Sequence, residues 1–336
     1  MVKKVFVVAE VGQAHEGSLG IAHSYIDALA ETGVNAVKFQ THIAQAESSY
    51  LEPFRVKFSF EDATRFDYWK RMEFTPEQWA GLKQHCEDKG LEFISSPFSN
   101  AAVDLLEQLG VQKYKIGSGE VSNYLMLEKI ARTGKAILLS SGMSSLSELD
   151  NTVAFLRGFG NPLSVFQCTT AYPTQPEQWG LQVIPLLKER YQLPTGFSDH
   201  SGDITAGIAA VAFGAELLEC HAVFDKRMFG PDSPASLTID QLKQLVNGVR
   251  KLEQALKVPI NKEDVASFQS LKAIFEKSLA VNKNLPKGHR IQAADLEAKK
   301  PSGQGIPARD FKQIIGKSLL RDLSAWEFLT EQDLEN

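Results

Sequence analysis

A short apolar run, a turn and an amphipathic stretch of helical length repeat in order from Val5 to Lys257, and this alternation constrains the fold more than any other feature. The strand segments are Val5–Ala9, Ala36–Phe39, Leu91–Ser95, Gln112–Ile116, Ala136–Leu139, Leu163–Cys168, Leu193–Phe197 and Ala215–Cys220. Start and stop signals mark the helices between them. Ser18 caps one to about Glu31 and Gly33 stops it; Thr75 caps Pro76–Lys89 and Gly90 stops it. Leu242, Leu245, Val249 and Leu252 give the closing helix Ile239–Leu256 one apolar face. Such β-α units make parallel strands joined by right-handed crossovers. Eight in succession match a (β/α)8 TIM barrel in number, order and length. A doubly wound open sheet is the competitor, but no G-x-G-x-x-G follows the first strand and there is no P-loop.

Two stretches break the alternation. Ile43–Phe74 is irregular and rich in aromatic and charged residues, as lids often are. After Lys257 the pattern changes, so the chain reads as a catalytic domain over 1–257, a linker with a short helix over 258–277, and a small domain over 278–336. That last part has β-like runs at Leu279–Val281 and Ser318–Leu320. A net charge of −5 makes no general case for nucleic acid or an anionic membrane, and no run is long enough to span a bilayer. The opening apolar strand is too short for a signal peptide. Cys86, Cys168 and Cys220 are odd in number and lack CxxC spacing, which fits a reducing cytoplasm.

In barrels of this kind chemistry sits on the loops that leave the strands. His200 and His221 end the seventh and eighth strands and so face one cleft. They read as ligands of a divalent metal that keeps open positions for substrate, or as strand-end residues satisfied by backbone. Lys38 and Lys115, with Ser96, Ser118, Ser140 and Ser198, suit an anionic ligand such as a phosphate. Glu120, in the glycine-rich turn after Lys115, reads as a general base or as a helix-start carboxylate. Lys115 has a second reading, a Schiff-base lysine in an aldolase. His15, His42, Ser95, Ser99, Ser141, Thr169, Asp199 and Glu219 occupy further strand ends without an assigned role. The residues alone thus read as a metal-assisted enzyme acting on a phosphorylated small substrate.

The motifs that carry this chemistry are Ala9-Glu-Val-Gly12, Val37-Lys-Phe-Gln-Thr41, Tyr114-Lys-Ile-Gly-Ser-Gly-Glu120, Gln167-Cys-Thr-Thr-Ala-Tyr-Pro-Thr174, Gly196-Phe-Ser-Asp-His200, Leu218-Glu-Cys-His221 and Gly230-Pro-Asp232. Together they resemble the sialic acid synthase family, the N-acetylneuraminate synthases and their relatives for other nonulosonic acids. Pro286–Gly305 is similar to that family's C-terminal antifreeze-like (SAF) domain, a small β-clip fold. The resemblance implies condensation of phosphoenolpyruvate with the open-chain aldehyde of an N-acetylated amino sugar, with release of phosphate. It implies Mn2+, with Mg2+ or Co2+ as alternatives, on His200 and His221. It makes Lys38, Ser96, Lys115, Ser118, Ser140 and Ser198 the phosphoenolpyruvate cradle, Glu10, Gln40, Tyr172 and Asp232 sugar contacts, and Glu120 the acid/base. Glu10 is a second catalytic candidate.

Two departures touch the sugar side: Thr170, where some members have Asn, and Lys300, where some have Arg. The sugar is therefore N-acetylmannosamine or a 2,4-diacetamido sugar leading to legionaminic or pseudaminic acid. A domain-swapped homodimer is also implied, with Lys300 reaching the neighbour's sugar. A non-catalytic carbohydrate-binding protein is the remaining alternative.

Overall fold

The computed structural model describes residues 4–335; the outermost residues of the expected domains, Met1–Lys3 and Asn336, lie outside it. The chain divides into two compact units, residues 1–258 and 259–336.

In the first unit eight parallel strands follow one another around a closed barrel: β1 Phe6–Gly12, β2 Ala36–Thr41, β3 Glu92–Pro97, β4 Lys113–Ile116, β5 Ala136–Ser140, β6 Leu163–Cys168, β7 Thr195–Asp199 and β8 Leu217–Val223. Pairing of β1 with β8, from Phe6 opposite Leu217 to Glu10 opposite His221, closes it. This is the expected barrel, not the open sheet. Closure removes both edges, and the helices bury the outer faces of the strands. The outer layer includes Ile26, Leu29, Trp79, Leu106, Ile130, Val153, Leu187 and Leu245, all essentially inaccessible. The helix starts follow the sequence signals: Ser18, Thr75, Ser99, Ser145 and Thr238 each accept a backbone N–H of the first turn.

Inside the barrel the strands build two layers. Val8, Ala36, Ile94, Leu138 and Phe166 form an apolar floor, with Phe6 and Leu217 against it. Gly196 on β7 makes room for it, since a Cβ there would lie 2.5 Å from the Phe166 ring. Successive inward residues of a strand are two apart. The next inward positions are therefore Glu10, Lys38, Ser96, Ser140, Cys168 and Glu219, a polar layer resting on an apolar one.

Two expectations need correcting. The first strand does not stop at Ala9, short of the charged Glu10: β1 runs on to Gly12, with a register shift after Glu10. A charge reads as a strand end, but here it is buried against Lys38 of β2. The irregular stretch 43–74 contains two helices, Ala44–Glu47 and Arg65–Met72. Thr64 and Asp67 form a capping box at the start of the second, a signal the aromatic-rich composition masked. The insert is tied down at both ends. Glu73 accepts the Ala44 N–H at 2.8 Å, and Arg71 bridges Asp62 at 2.8 Å and Glu16 at 3.0 Å.

The second unit has a helix at Gln269–Phe275, then pairs β9 Ser278–Val281 antiparallel with β10 Leu296–Lys299. The expected run Ser318–Leu320 forms isolated bridges, Arg290 with Ser318 and Leu319 with Leu334, not a strand. Leu279, Val281, Leu285, Ile291, Leu319, Leu323 and Leu329 make its core. Asp295 is buried there and accepts from Lys283 and His289 at 2.7 Å each and from Gln292 N at 2.9 Å. Burial alone would raise its carboxyl, yet these donors hold it well below the usual range. Its contribution to stability is present above the unfolded value of about 4 and lost as pH falls through the folded one. Asp295→Asn is expected to cost about 1–3 kcal/mol at neutral pH, with the deficit shrinking below about pH 4. Hydrogen exchange of the second unit's amides at the two pH values checks this; an equal deficit at both would refute it.

Among the described residues no helix is long and apolar enough to cross a membrane, and all three cysteines are free and buried.

Candidate active site

The polar layer opens into a cavity of about 440 Å³ at the carboxyl ends of the strands. Its volume suits a small substrate pair. Lys38, Lys115, Glu10 and Glu219 lie at its base, all nearly inaccessible. Lys115 Nζ donates to Glu219 Oε1 at 2.6 Å, and Ser198 Oγ donates to the same oxygen at 3.1 Å. Lys38 is paired with Glu10, lies 3.8 Å from Glu219 and donates to Ser96 Oγ at 3.2 Å. Burial works against charge throughout. Lys115 and Lys38 nevertheless outweigh it and hold Glu219 at about 2. For Glu10 burial wins over the pull of Lys38, and its carboxyl is raised. Glu10 Oε1 also accepts from Gln40 at 2.8 Å. Gln40 is bonded in turn by Gln13, and His42 joins the chain with Nε2 3.2 Å from Gln40 Oε1 while its ring stacks on Trp69 and Phe98.

The two histidines meet on this wall, ring centroids 5.3 Å apart. His200 Nδ1 lies 2.9 Å from the Thr169 carbonyl, which fixes a proton there and leaves Nε2 as the nitrogen free for the cavity. Burial opposes charge on His200, but Cys168 and the Thr169 carbonyl raise its proton affinity to about 9, so a cation at Nε2 would compete with a proton. Burial lowers His221 to about 3, leaving it a neutral imidazole with no hydrogen bond to any described residue. No cluster of three or more His, Cys, Asp or Glu able to hold a metal occurs among the described residues. Once His200 gives up its Nε2 proton, the two imidazoles beside an open cavity fit a divalent cation whose remaining positions go to oxygen ligands.

On the phosphate-suited side, Ser118 Oγ accepts the Gly142 N–H at 3.1 Å, and Ser140 is buried in the wall beside it. Gly142 must lack a side chain: a Cβ would lie 2.5 Å from Thr170 Oγ1 and 2.7 Å from Ser118 Oγ. Glu120 sits in the one-turn 3-10 helix Ser118–Glu120. Burial raises its carboxyl although Asn123 bonds Oε2 at 2.7 Å, and Glu47 adds repulsion. At the mouth the Tyr172 ring lies 4.2 Å from the His200 ring and Asp232 adjoins His221 electrostatically.

The cavity thus brings together every candidate named from the sequence except Lys300, which belongs to the second unit, where its ammonium lies 5.0 Å from the Phe275 ring. Several other strand-end polar residues point away, because side chains alternate. Ser95 bonds Thr41 at 2.7 Å, Ser99 caps the next helix, Ser141 donates to the Phe166 carbonyl, and His15 packs on Phe74. Glu219, Cys168 and Arg55 are among the lining residues that had no role in the sequence reading. Glu219 and Cys168 follow inward apolar residues by two, a parity that could have found them. Arg55 comes from the 43–74 insert, carries no such pattern and bonds Asp232 at 2.7 Å.

Residues 25–261 match the NeuB family and residues 276–335 the SAF domain. The chain is 32% identical to the N,N'-diacetyllegionaminic acid synthase of Campylobacter jejuni over 98% of its own length and 100% of that protein's. It is 31% identical to the human N-acetylneuraminate-9-phosphate synthase over 98% and 93% of the two chains. The crystal structure of the N-acetylneuraminic acid synthetase of Leptospira borgpetersenii superposes with a TM-score of 0.71, at 31% identity, covering 80% of this chain and 90% of that one. The barrel with its polar inner layer is therefore that of a NeuB-family enzyme, and the chain belongs to this family of nonulosonic acid synthases, with a SAF domain at its C-terminal end.

Proposed function

We propose that the protein condenses phosphoenolpyruvate with the open-chain form of an N-acetylated amino sugar and releases inorganic phosphate, giving a nine-carbon 2-keto acid of the sialic or legionaminic type. The observation that carries this reading is the adjacency of two features in one cavity: a lysine- and serine-lined base and a pair of metal-competent imidazoles.

Lys38 and Lys115 neutralise the phosphate and carboxylate of phosphoenolpyruvate, and Ser96, Ser118, Ser140 and Ser198 donate to their oxygens. Glu219 holds the Lys115 ammonium in place before substrate arrives, so little is reorganised on binding. A divalent ion on His200 and His221 would polarise the aldehyde oxygen as a Lewis acid. The enol carbon then attacks the aldehyde carbon. Asn123 occupies Glu120 Oε2, leaving Oε1 to take a proton from the water that adds to the carbon bearing phosphate. Cleavage of that carbon–oxygen bond expels phosphate with its bridging oxygen. Glu10, whose burial-raised carboxyl lies against Gln40, and Asp232 with Tyr172 line the path to the mouth and suit sugar hydroxyls.

The aldolase alternative is disfavoured by the 2.6 Å contact that commits the Lys115 nitrogen to Glu219. The direct test is phosphate release in the presence of phosphoenolpyruvate, a candidate amino sugar and Mn2+. Release should require all three and stop in excess chelator. Full activity in chelator, or borohydride trapping of pyruvate on the protein, would count against the proposal. A homodimer belongs to the same proposal and is checked by sedimentation.

A further inference from the structure

The cavity's two lysines and two arginines are each committed to a carboxylate: Lys38 to Glu10, Lys115 to Glu219, Arg55 to Asp232 at 2.7 Å, and Arg65 to Glu52 at 3.0 Å. The two ends of the cavity differ. At the base the pairs are buried and sit among serine hydroxyls, which a phosphate can recruit. At the mouth the side chains of Arg55 and Asp232 keep 38% and 20% of their exposure, and those of Arg65 and Glu52 keep 25% and 33%. Those two guanidiniums are balanced by their partners. Among the described residues no lysine or arginine is left in surplus there. A phosphate brought to the mouth would face these carboxylates and have to break a charge pair to find a counter-ion.

Arg55 is also placed to read the far end of an acceptor. Its guanidinium carbon lies 4.2 Å above the Tyr172 ring, and that ring lies 4.2 Å from His200. One aromatic ring thus separates Arg55 from the imidazole pair, where the proposed reaction places the aldehyde. Arg55 is bonded through one nitrogen to one oxygen of Asp232, so donors remain on the guanidinium and an acceptor remains on the carboxylate. Such a pair offers alternating partners to a neutral hydroxyl- or amide-bearing chain.

We infer that Arg55 is a specificity-determining residue, and that with Asp232 it selects an uncharged amino sugar over a sugar phosphate as the acceptor. This rests on the synthase reading and deepens it. The test uses the full chain with Mn2+ and phosphoenolpyruvate, comparing N-acetylmannosamine and a 2,4-diacetamido sugar with N-acetylmannosamine 6-phosphate. An uncharged sugar is expected to give a kcat/KM at least about tenfold above the phosphate, the effect of one misplaced charge pair. Arg55→Ala should raise KM for the neutral sugar about tenfold through the lost charge-assisted bond, with KM for phosphoenolpyruvate nearly unmoved. Arg55→Lys should fall between, since it keeps charge and loses the planar fork. Calorimetric titration of the neutral sugar should weaken in Arg55→Ala by the same factor, independent of turnover. Preference for the 6-phosphate, or equal rises in both KM values, would overturn the inference and leave the synthase reading standing. Phosphate release with none of the sugars would overturn both.

Discussion

His221→Ala is expected to reduce phosphate release by about a thousandfold or more, because losing a Lewis-acid ligand removes about 4 kcal/mol of transition-state stabilisation. The same substitution should abolish tight Mn2+ binding measured by electron paramagnetic resonance or equilibrium dialysis. The fold should tolerate it. The His221 ring makes no hydrogen bond to any described residue and faces the cavity, so its removal leaves no buried polar partner stranded. His200→Ala should match it in activity and exceed it in cost to stability, since the Thr169 carbonyl and Cys168 lose a neighbour. Undiminished Mn2+ affinity in both variants would remove the imidazole pair from the mechanism.

Lys115→Met should be damaging in two separable ways. The lysine supports a buried carboxylate: Glu219 Oε1 would keep only Ser198 at 3.1 Å and Lys38 at 3.8 Å, and its Oε2 already has no hydrogen-bond partner. Stranding a buried charge in this way costs about 3–5 kcal/mol. Phosphate release should also fall by about a thousandfold, as one of two cations facing the donor substrate is gone. The double variant Lys115→Met with Glu219→Met separates the effects. Removing both charges should restore most of the stability and none of the activity. Denaturant titration beside the phosphate assay reads both, and a Lys115→Met protein as stable as its parent would refute the buried-pair account.

The barrel was legible because its signal is repetitive and local: each apolar run is short, and most of the helices between them carry a capping side chain. The helix at Asn100–Leu109, for instance, is announced by Ser99 and terminated at Gly110, whose φ of 70° suits glycine. Glu10 was left outside the first strand because its partner, Lys38, lies on another strand and no local rule foresees a buried pair. The 43–74 insert hid its helices because they are short and pack through aromatic rings, Tyr68 and Trp69 among them, not through a regular apolar stripe. Much of the site followed from strand-end position. What separated Ser96, which reaches the cavity, from Ser95, which bonds Thr41, was parity, and parity becomes readable only once the inward face of each strand is known. Arg55 was beyond reach for a different reason: nothing near it in sequence records that Asp232 and Tyr172 await it across the mouth.

The anchoring of the 43–74 insert has a consequence for how such enzymes diversify. Its two ends are clamped by Glu73 on Ala44 and by Arg71 on Asp62 and Glu16, while the stretch bearing Arg55 lies between the clamps. That middle portion is a cassette: exchanging it re-equips the entrance without disturbing the lysines and serines rooted in the strands. Donor chemistry and acceptor choice can then drift on separate evolutionary clocks, and a transplanted insert should carry its sugar preference with it.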